Sequence, residues 1–174
     1  MFVVAEKFNV NDYVIYGKSG LCFVKEIKKM RMANGPLSKY YVLNSAFGNS
    51  VTIYVPCDKE NLVTKMRRPL TKAEIDAILE DAKGQQINWI DNNNERADYF
   101  KKITDSDNYR DWILLISCIH MKKTEKHANG KHLSSKDEST LKLIEKLIED
   151  EFCYSMQLDS NQIADYIREK LNIK

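Results

Sequence analysis

Short apolar runs separated by turn residues dominate the first third of the chain. The runs are rich in Val, Ile, Tyr and Phe, and each ends at Gly, Asn, Ser or Pro, which is typical of strands in a small antiparallel sheet. The pattern predicts four strands and leaves a fifth, short one open at Phe2–Val4. The four are Tyr13–Tyr16, Leu21–Lys28, Tyr40–Leu43 and Val51–Val55.

A sheet this small cannot cover both of its faces, so we expect it to curl into a β-barrel of Tudor or SH3 size. Such a barrel has no deep cleft, and it binds partners along an edge strand or across a flat face. In the last strand, alternation places Val51, Ile53 and Val55 on one side and Thr52 and Tyr54 on the other, and we expect the aliphatic side to face inward. The docking candidates are Lys28, Lys29, Arg31, Tyr41, Thr52 and Tyr54.

Beyond Pro56 the apolar period changes from that of strands to that of helices. The basic segment Lys65–Pro69 suits a hinge, because proline ends it. A capping box at Thr71–Glu74 starts a helix that Gly84 stops. The pattern thus predicts an α+β protein with a β-barrel domain at residues 1–66 and an all-helical domain at residues 67–174.

The helical part contains about five apolar stripes. After the first helix, a short helix is expected from Glu95 to Lys102, and Asp105 or Ser106 is expected to cap a core helix that contains Trp112. The segment from Lys122 to Lys131 is a predicted basic turn. The last two helices are expected to begin with a capping box at Ser134 and with Asp159 as the cap.

Composition narrows the function classes only a little. The chain has 27 Lys and Arg against 25 Asp and Glu, a net charge of +2, so total charge does not indicate nucleic acid. No Cys-x-x-Cys pair is present, and the apolar segment Phe2–Ala5 is too short for a signal peptide, which favours free thiols in a reducing compartment and a cytoplasmic protein. The four cysteines are Cys22, Cys57, Cys118 and Cys153.

Motifs for catalysis are absent from the sequence. There is no Gly-rich phosphate loop and no nucleophile elbow. His120, His127 and His132 span a predicted helix end and turn without a carboxylate at regular spacing, which disfavours a metal site. We therefore expect no enzyme activity, no metal and no cofactor.

Two groups of residues resemble one bacterial family. Phe8–Tyr16, Gly20, Tyr40–Leu43 and Val55–Pro56 resemble the amino-terminal module of the CarD/CdnL transcription regulators, a module that also occurs in the transcription-repair coupling factor. Further along, the chain resembles the helical domain of CarD. The residues concerned are Asn88–Trp89, Arg96, Gly130–Lys131, Leu133–Ser134 and Glu151–Phe152.

The resemblance implies a monomeric, nucleoid-associated factor without catalysis of its own. Its barrel would bind the β subunit of RNA polymerase, and its helical domain would contact promoter DNA in the minor groove, largely independently of sequence, at the upstream edge of the melted bubble. There Trp89 would act as a wedge that stabilises the open complex. From the residues alone Trp89 fits a core position better, whereas Trp112 belongs to a helical apolar stripe and is expected in the core.

Basic residues near Trp89 are the candidates for phosphate contacts. They are Arg96, Lys101, Lys102, Lys122, Lys123, Lys126 and Lys131. Many relatives carry arginines directly after the tryptophan, where this chain has Ile90, Asp91 and three asparagines, so we expect weaker DNA binding or a grip displaced to Arg96 and Lys101. Tyr54 stands where some relatives have a basic residue before Val-Pro.

Two other function classes stay open at this point. The chain is alternatively a protein-docking adaptor without DNA contact, or an RNA- or ribosome-associated module. The sequence does not distinguish activation from repression, and it identifies neither target promoters, nor the angle between the domains, nor a role for Met1–Lys7.

Overall fold

In the described part of the amino-terminal unit, five antiparallel strands form one sheet. The computed structural model describes residues 7–32, 35–47 and 51–172, and the chain divides into two compact units between Pro69 and Leu70. The strands pair in the order β4-β3-β2-β1-β5. They are β1 Tyr13–Tyr16, β2 Leu21–Arg31, β3 Leu37–Ser45, β4 Thr52–Pro56 and β5 Met66–Arg67.

Paired residues of neighbouring strands direct their side chains to the same side of the sheet, and alternate residues along each strand share that side. On the inner side these residues are apolar. Tyr41 lies opposite Ile27 on β2 and opposite Val55 on β4. A register shift between Val24 and Glu26 interrupts the alternation in β2. The buried core consists of Phe8, Val14, Cys22, Val24, Tyr41, Leu43, Val55 and Met66.

The fifth strand differs from the expected one. Met66–Arg67 pairs with β1, although the sequence predicted a hinge there, and the expected strand at Phe2–Val4 lies outside the described residues. The Met66 side chain is fully buried, and its burial holds this segment in the sheet. A short helix α1, Glu60–Val63, connects β4 to β5. The strand carries the sheet unit past residue 66, where the sequence placed the domain boundary.

Residues 70–172 of the second unit contain five helices, so the predicted α+β class with a helical domain is confirmed. Its helices are α2 Lys72–Ala82, α3 Asn93–Asp105, α4 Tyr109–Ala128, α5 Ser135–Met156 and α6 Ser160–Leu171. The capping box of Thr71 and Glu74 and the Asp159 cap are present. No helix in the described ranges has the length and apolarity that crossing a bilayer requires.

Three helix boundaries differ from the sequence prediction. Helix α3 begins earlier because Asn92 caps it, and Asn108 caps α4 in place of Asp105 or Ser106. Helix α4 also continues through the predicted basic turn as far as Ala128. Strong helix formers and a 2.9 Å ion pair between Lys122 and Glu125, three residues apart, favour this extension.

Trp112 lies in the core of this unit, as predicted, with 2% of its surface exposed. Its indole Nε1 donates a hydrogen bond of 2.9 Å to the carbonyl of Ile103. Glu151 on α5 is fully buried; its carboxylate accepts a 2.7 Å bond from the backbone N–H of Leu70 and another from the hydroxyl of Tyr109. A buried carboxylate thus connects the start of the unit to α4 and α5.

Replacement of Glu151 by leucine is expected to destabilise the fold. Leu would leave the Leu70 N–H and the Tyr109 hydroxyl without their acceptor, at a cost of roughly 2–4 kcal/mol in the free energy of unfolding. Urea unfolding followed by circular dichroism measures the effect. Tyr109→Phe is the control, since it removes one donor and leaves the carboxylate bonded to Leu70. A Glu151→Leu chain as stable as the parent would refute this role.

Candidate functional site

The outer face of the sheet unit combines an exposed aromatic ring with polar side chains. Glu26 on β2 lies opposite Val42 on β3, and Val42 lies opposite Tyr54 on β4, so the three side chains share one face. Tyr54 is 38% exposed, and Thr52, also exposed, donates a 3.3 Å bond to Asn44. We call Glu26, Lys28, Thr52 and Tyr54 the outer patch.

Lys28 belongs to this patch through its ion pair with Glu26 at 2.7 Å. The hydrogen bond that Lys28 donates to the Glu26 carboxylate is the main cause that raises the pKa of Lys28, with smaller contributions from the charge of Glu26 and from Tyr54. Lys28 therefore stays charged at neutral pH. Within the described ranges, β4 pairs with β3 alone, so the patch borders an edge of the sheet.

The other docking candidates lie elsewhere. Lys29 and Arg31 are exposed, but alternation directs them to the opposite side of β2 from Lys28. Tyr41 is 2% exposed, and its hydroxyl accepts a 2.9 Å bond from the backbone N–H of Lys7. The expectation that Tyr41 is available to a partner is wrong, because it faces inward opposite Val55.

Trp89 occupies the end of the loop that precedes helix α3. Its indole is half-buried and packs against the helical core. It contacts the Phe100 ring edge-on, with 5.9 Å between ring centroids. In contrast to Trp112, its N–H has no protein acceptor in the part of the chain that the structure describes. Trp89 is thus a partly exposed side chain whose ring packs against the helical core on one side.

Trp89 also lines a cleft of about 560 Å³. The loop from Gly84 to Trp89 forms one wall and helix α4 forms the other, with Met121 66% exposed at its side. Burial raises the pKa of the Cys118 thiol in this wall, despite the nearby Lys122, so the thiol is neutral and is not an activated nucleophile. The cleft offers apolar surface, side-chain amides and the ammonium group of Lys122, which pairs with the carboxylate of Glu125 in the same lining.

Of the predicted phosphate contacts, Lys122 lies beside the indole. Its Nζ is 5.9 Å from the centre of the Trp89 ring, and its side chain is 21% exposed and paired with Glu125. Lys126 follows one turn later on the same side of α4. Lys101, Lys102, Lys123 and Lys131 are exposed, and their DNA contacts stay predictions.

Arg96 is located inside the domain, although the sequence placed it at the DNA surface. It is 3% exposed, and it forms a bidentate pair with Asp137 at 2.8 and 3.0 Å. The guanidinium carbon lies 4.2 Å from the centre of the Trp89 ring. Asp137 was not among the predicted site residues, because its place at the third position of α5 is typical of a local helix cap with Ser134.

The carboxylate of Asp137 is buried and fully engaged. Burial by itself would raise the pKa of Asp137, but the hydrogen bonds from Arg96 and from the Ser134 hydroxyl outweigh it, and the pKa is lowered below its usual value. Asp137 is therefore ionised at neutral pH and neutralises Arg96. Arg96 contributes a neutral pair to the site and adds little to its positive field.

Metal chemistry finds no support in the ranges 7–32, 35–47 and 51–172, where no group of three or more ligand side chains occurs. His120 is one of the three histidines in the sequence, and its Nε2 lies 2.6 Å from Oε1 of Glu145. His127 and His132 are exposed.

The Asp137 pair predicts a specific loss of stability in acid. Its pKa is lower in the folded chain than the unfolded value of about 3.9, so its contribution is present above about pH 4 and is lost as the pH falls through the folded pKa. Asp137→Asn is expected to cost roughly 3–5 kcal/mol at neutral pH, because Arg96 keeps an uncompensated buried charge. The variant should also lose less stability than the parent in acid.

Urea unfolding at neutral pH and at about pH 3 tests this difference. Asp165→Asn is the matched control, because Asp165 is 79% exposed in its ion pair with Arg168 and is expected to change neither value. The same acid dependence in the Asp137→Asn chain and in the parent would contradict the assignment.

Comparison with known proteins identifies the sheet unit. Residues 8–68 match the family described as the CarD-like/TRCF RID domain, which covers the described strands from Tyr13 to Arg67. No curated protein matches the chain. Residues 8–68 therefore form a domain of the CarD-like/TRCF RID family, and this domain indicates a transcription-related role in binding RNA polymerase.

Proposed function

We propose that this protein is a bacterial transcription factor that docks on the β subunit of RNA polymerase and stabilises the promoter open complex. The RID family membership of residues 8–68 supports the polymerase as a partner. The half-buried Trp89 beside Lys122 carries the second part of the proposal. Such a factor would work in the cytoplasm, at the nucleoid.

The outer patch is the proposed docking surface. An exposed aromatic ring with a charged neighbour is typical of residues that dominate binding energy at interfaces. Tyr54 provides the ring and Lys28 the charge, and β4 lies at the edge of the sheet. The polymerase contact then combines apolar and ionic contributions on one face.

Trp89 is the proposed DNA contact. An indole plane that presses on an unstacked base step contributes roughly 1–3 kcal/mol. If the contact forms only with distorted DNA, it stabilises the open complex over the closed one. Because Trp89 packs against the helical core, the contact takes place at the rim of the cleft, where Lys122 would exchange its ion pair with Glu125 for a phosphate.

An adaptor role without DNA contact is the second candidate. The exposed Met121 and the apolar cleft walls favour it, since methionine is common at protein-docking surfaces. An adaptor would show no salt-sensitive binding of promoter DNA, whereas the leading proposal requires it. An RNA- or ribosome-associated role would instead appear as ribosomal components recovered with the protein from lysate.

The Tyr54→Ala, Lys28→Ala double variant tests the docking surface. It is expected to weaken binding to the purified β subunit at least about tenfold, which is about 1.4 kcal/mol. Tyr13→Ala is the matched control, because Tyr13 is exposed to a similar degree, 41% against 38% for Tyr54. Equal binding by the double variant and the control would exclude this patch as the docking site.

Trp89→Ala tests the DNA contact in a complete polymerase–promoter complex. The lifetime of open complexes challenged with competitor is expected to fall roughly tenfold, the effect of about 1.4 kcal/mol, while β-subunit binding stays the same. Trp112→Phe controls for a general loss of stability. An unchanged lifetime in the Trp89→Ala complex would refute the wedge.

A further inference from the structure

Arg96 has a set of partners that matches its donors one for one. A guanidinium group offers five N–H donors in a rigid planar fork. In Arg96, Nε donates to Asp137, Nη2 donates to Asp137 and to Asn93, and Nη1 donates to the carbonyls of Ile90 and Asp91 at 2.7 and 3.1 Å. No donor is left for a phosphate, so direct DNA contact by Arg96 is excluded in this arrangement.

These bonds fix the short segment between Trp89 and helix α3. The two carbonyls belong to the residues that directly follow Trp89, and Asn93 is the first residue of α3. Asn92 caps the helix through its side chain, and its carbonyl accepts a 2.9 Å bond from the backbone N–H of Arg96. Ile90, Asp91 and Asn93 are therefore tied to one side chain at the start of α3.

The same side chain supports the indole itself. The Arg96 guanidinium carbon lies 4.2 Å from the centre of the Trp89 ring, within the range of a cation–π contact. Phe100, one turn further along α3, contacts the ring from another direction. Arg96 thus contacts both the backbone that carries Trp89 and the ring that would meet DNA.

We propose that Arg96 is a positioning residue for Trp89, holding the indole in the orientation that engages melted promoter DNA without itself contacting that DNA. The inference rests on the proposed function of Trp89. Asp137 anchors the fork from α5, so the orientation of Trp89 depends on a residue 41 positions from Arg96 in the chain.

The Arg96→Lys variant distinguishes two possible roles of Arg96: attracting DNA by its charge, and holding Trp89 by its hydrogen bonds. Lysine keeps the positive charge but cannot bond Asp137, Asn93 and two carbonyls at once, because it lacks the planar fork. If Arg96 acted by attracting DNA, Arg96→Lys would preserve the DNA effect. If Arg96 acts by positioning Trp89, Arg96→Lys is expected to shorten the open-complex lifetime as much as Arg96→Gln does.

The experiment uses full-length chains with the Trp112→Phe substitution, so that Trp89 is the single tryptophan. Acrylamide quenching and fluorescence anisotropy report on the indole without DNA, and competitor-challenged open complexes report on function. Arg96→Lys is expected to raise the quenching of Trp89, to lower its anisotropy, and to shorten the open-complex lifetime roughly tenfold, as loss of the indole contact does.

Ile144→Val controls for stability, because Ile144 is fully buried in the same core and takes no part in the hydrogen bonds and ring contacts of Arg96 and Trp89 described above. It is expected to lower the melting temperature and to leave both readouts unchanged. Asn93→Ala covers the case in which the Arg96 variants do not fold. It removes one acceptor at an exposed position, and we expect a lifetime reduced about twofold to threefold.

The outcomes separate the inference from the function on which it rests. Arg96→Lys or Asn93→Ala chains with normal quenching and normal lifetime would overturn the positioning role, even where Trp89→Ala shortens the lifetime. Altered quenching with a lifetime that neither Arg96→Lys nor Trp89→Ala changes would overturn the proposed DNA contact and, with it, the inference. A shortened lifetime with altered quenching supports both.

Discussion

The buried guanidinium of Arg96 is the constraint on which the helical unit's candidate site depends. A charge removed from water is tolerated only when it is paired and every donor has an acceptor. Here one carboxylate, one side-chain amide and two backbone carbonyls meet that demand. Satisfying it draws together the loop after Trp89, the first turn of α3 and the first turn of α5, and it places Trp89 on a rigid support.

Because Arg96 is engaged inside the protein, the proposed DNA contact depends on Trp89 and not on this arginine. The arginine nearest to Trp89 in the sequence, Arg96, is used internally, and the segment after Trp89 carries asparagines. Because the chain has a net charge of only +2, its affinity for DNA in the absence of polymerase is expected to be low. Docking on polymerase would compensate, because tethering raises the effective concentration of the helical unit near the promoter to the millimolar range. Weak DNA binding and a long-lived complex are then compatible.

Much of the fold followed from periodicity and local chemistry. Period-two runs predicted the first four strands, and the apolar stripes and caps at Thr71 and Asp159 predicted helices, because both signals lie within a few residues. The strand Met66–Arg67 was missed because two residues are too few to show an alternation of apolar and polar positions. Its place in the sheet comes from the burial of Met66. Asn108 was missed because three neighbouring residues were equally good caps.

The site was less predictable, because its residues meet only in three dimensions. Nothing local separates an arginine that contacts phosphate from Arg96, whose partner Asp137 lies on another helix. Tyr41 was misjudged for a related reason: strand residues alternate, but the sequence did not show which face of β3 was covered. Thr52 and Tyr54 are exposed and Val55 is buried, as predicted, but the inward placement of Val51 is wrong: it precedes the first residue of β4 and is 56% exposed.

The central claim is that Trp89 meets promoter DNA at the upstream edge of the bubble while the sheet unit is bound to polymerase. Site-specific photocrosslinking from position 89, in a complete polymerase–promoter complex, tests it most directly. We predict crosslinks to a few nucleotides at that edge, which disappear when the Tyr54→Ala, Lys28→Ala change prevents docking. Crosslinks to a polymerase subunit alone, or crosslinks spread evenly along duplex DNA, would contradict the account.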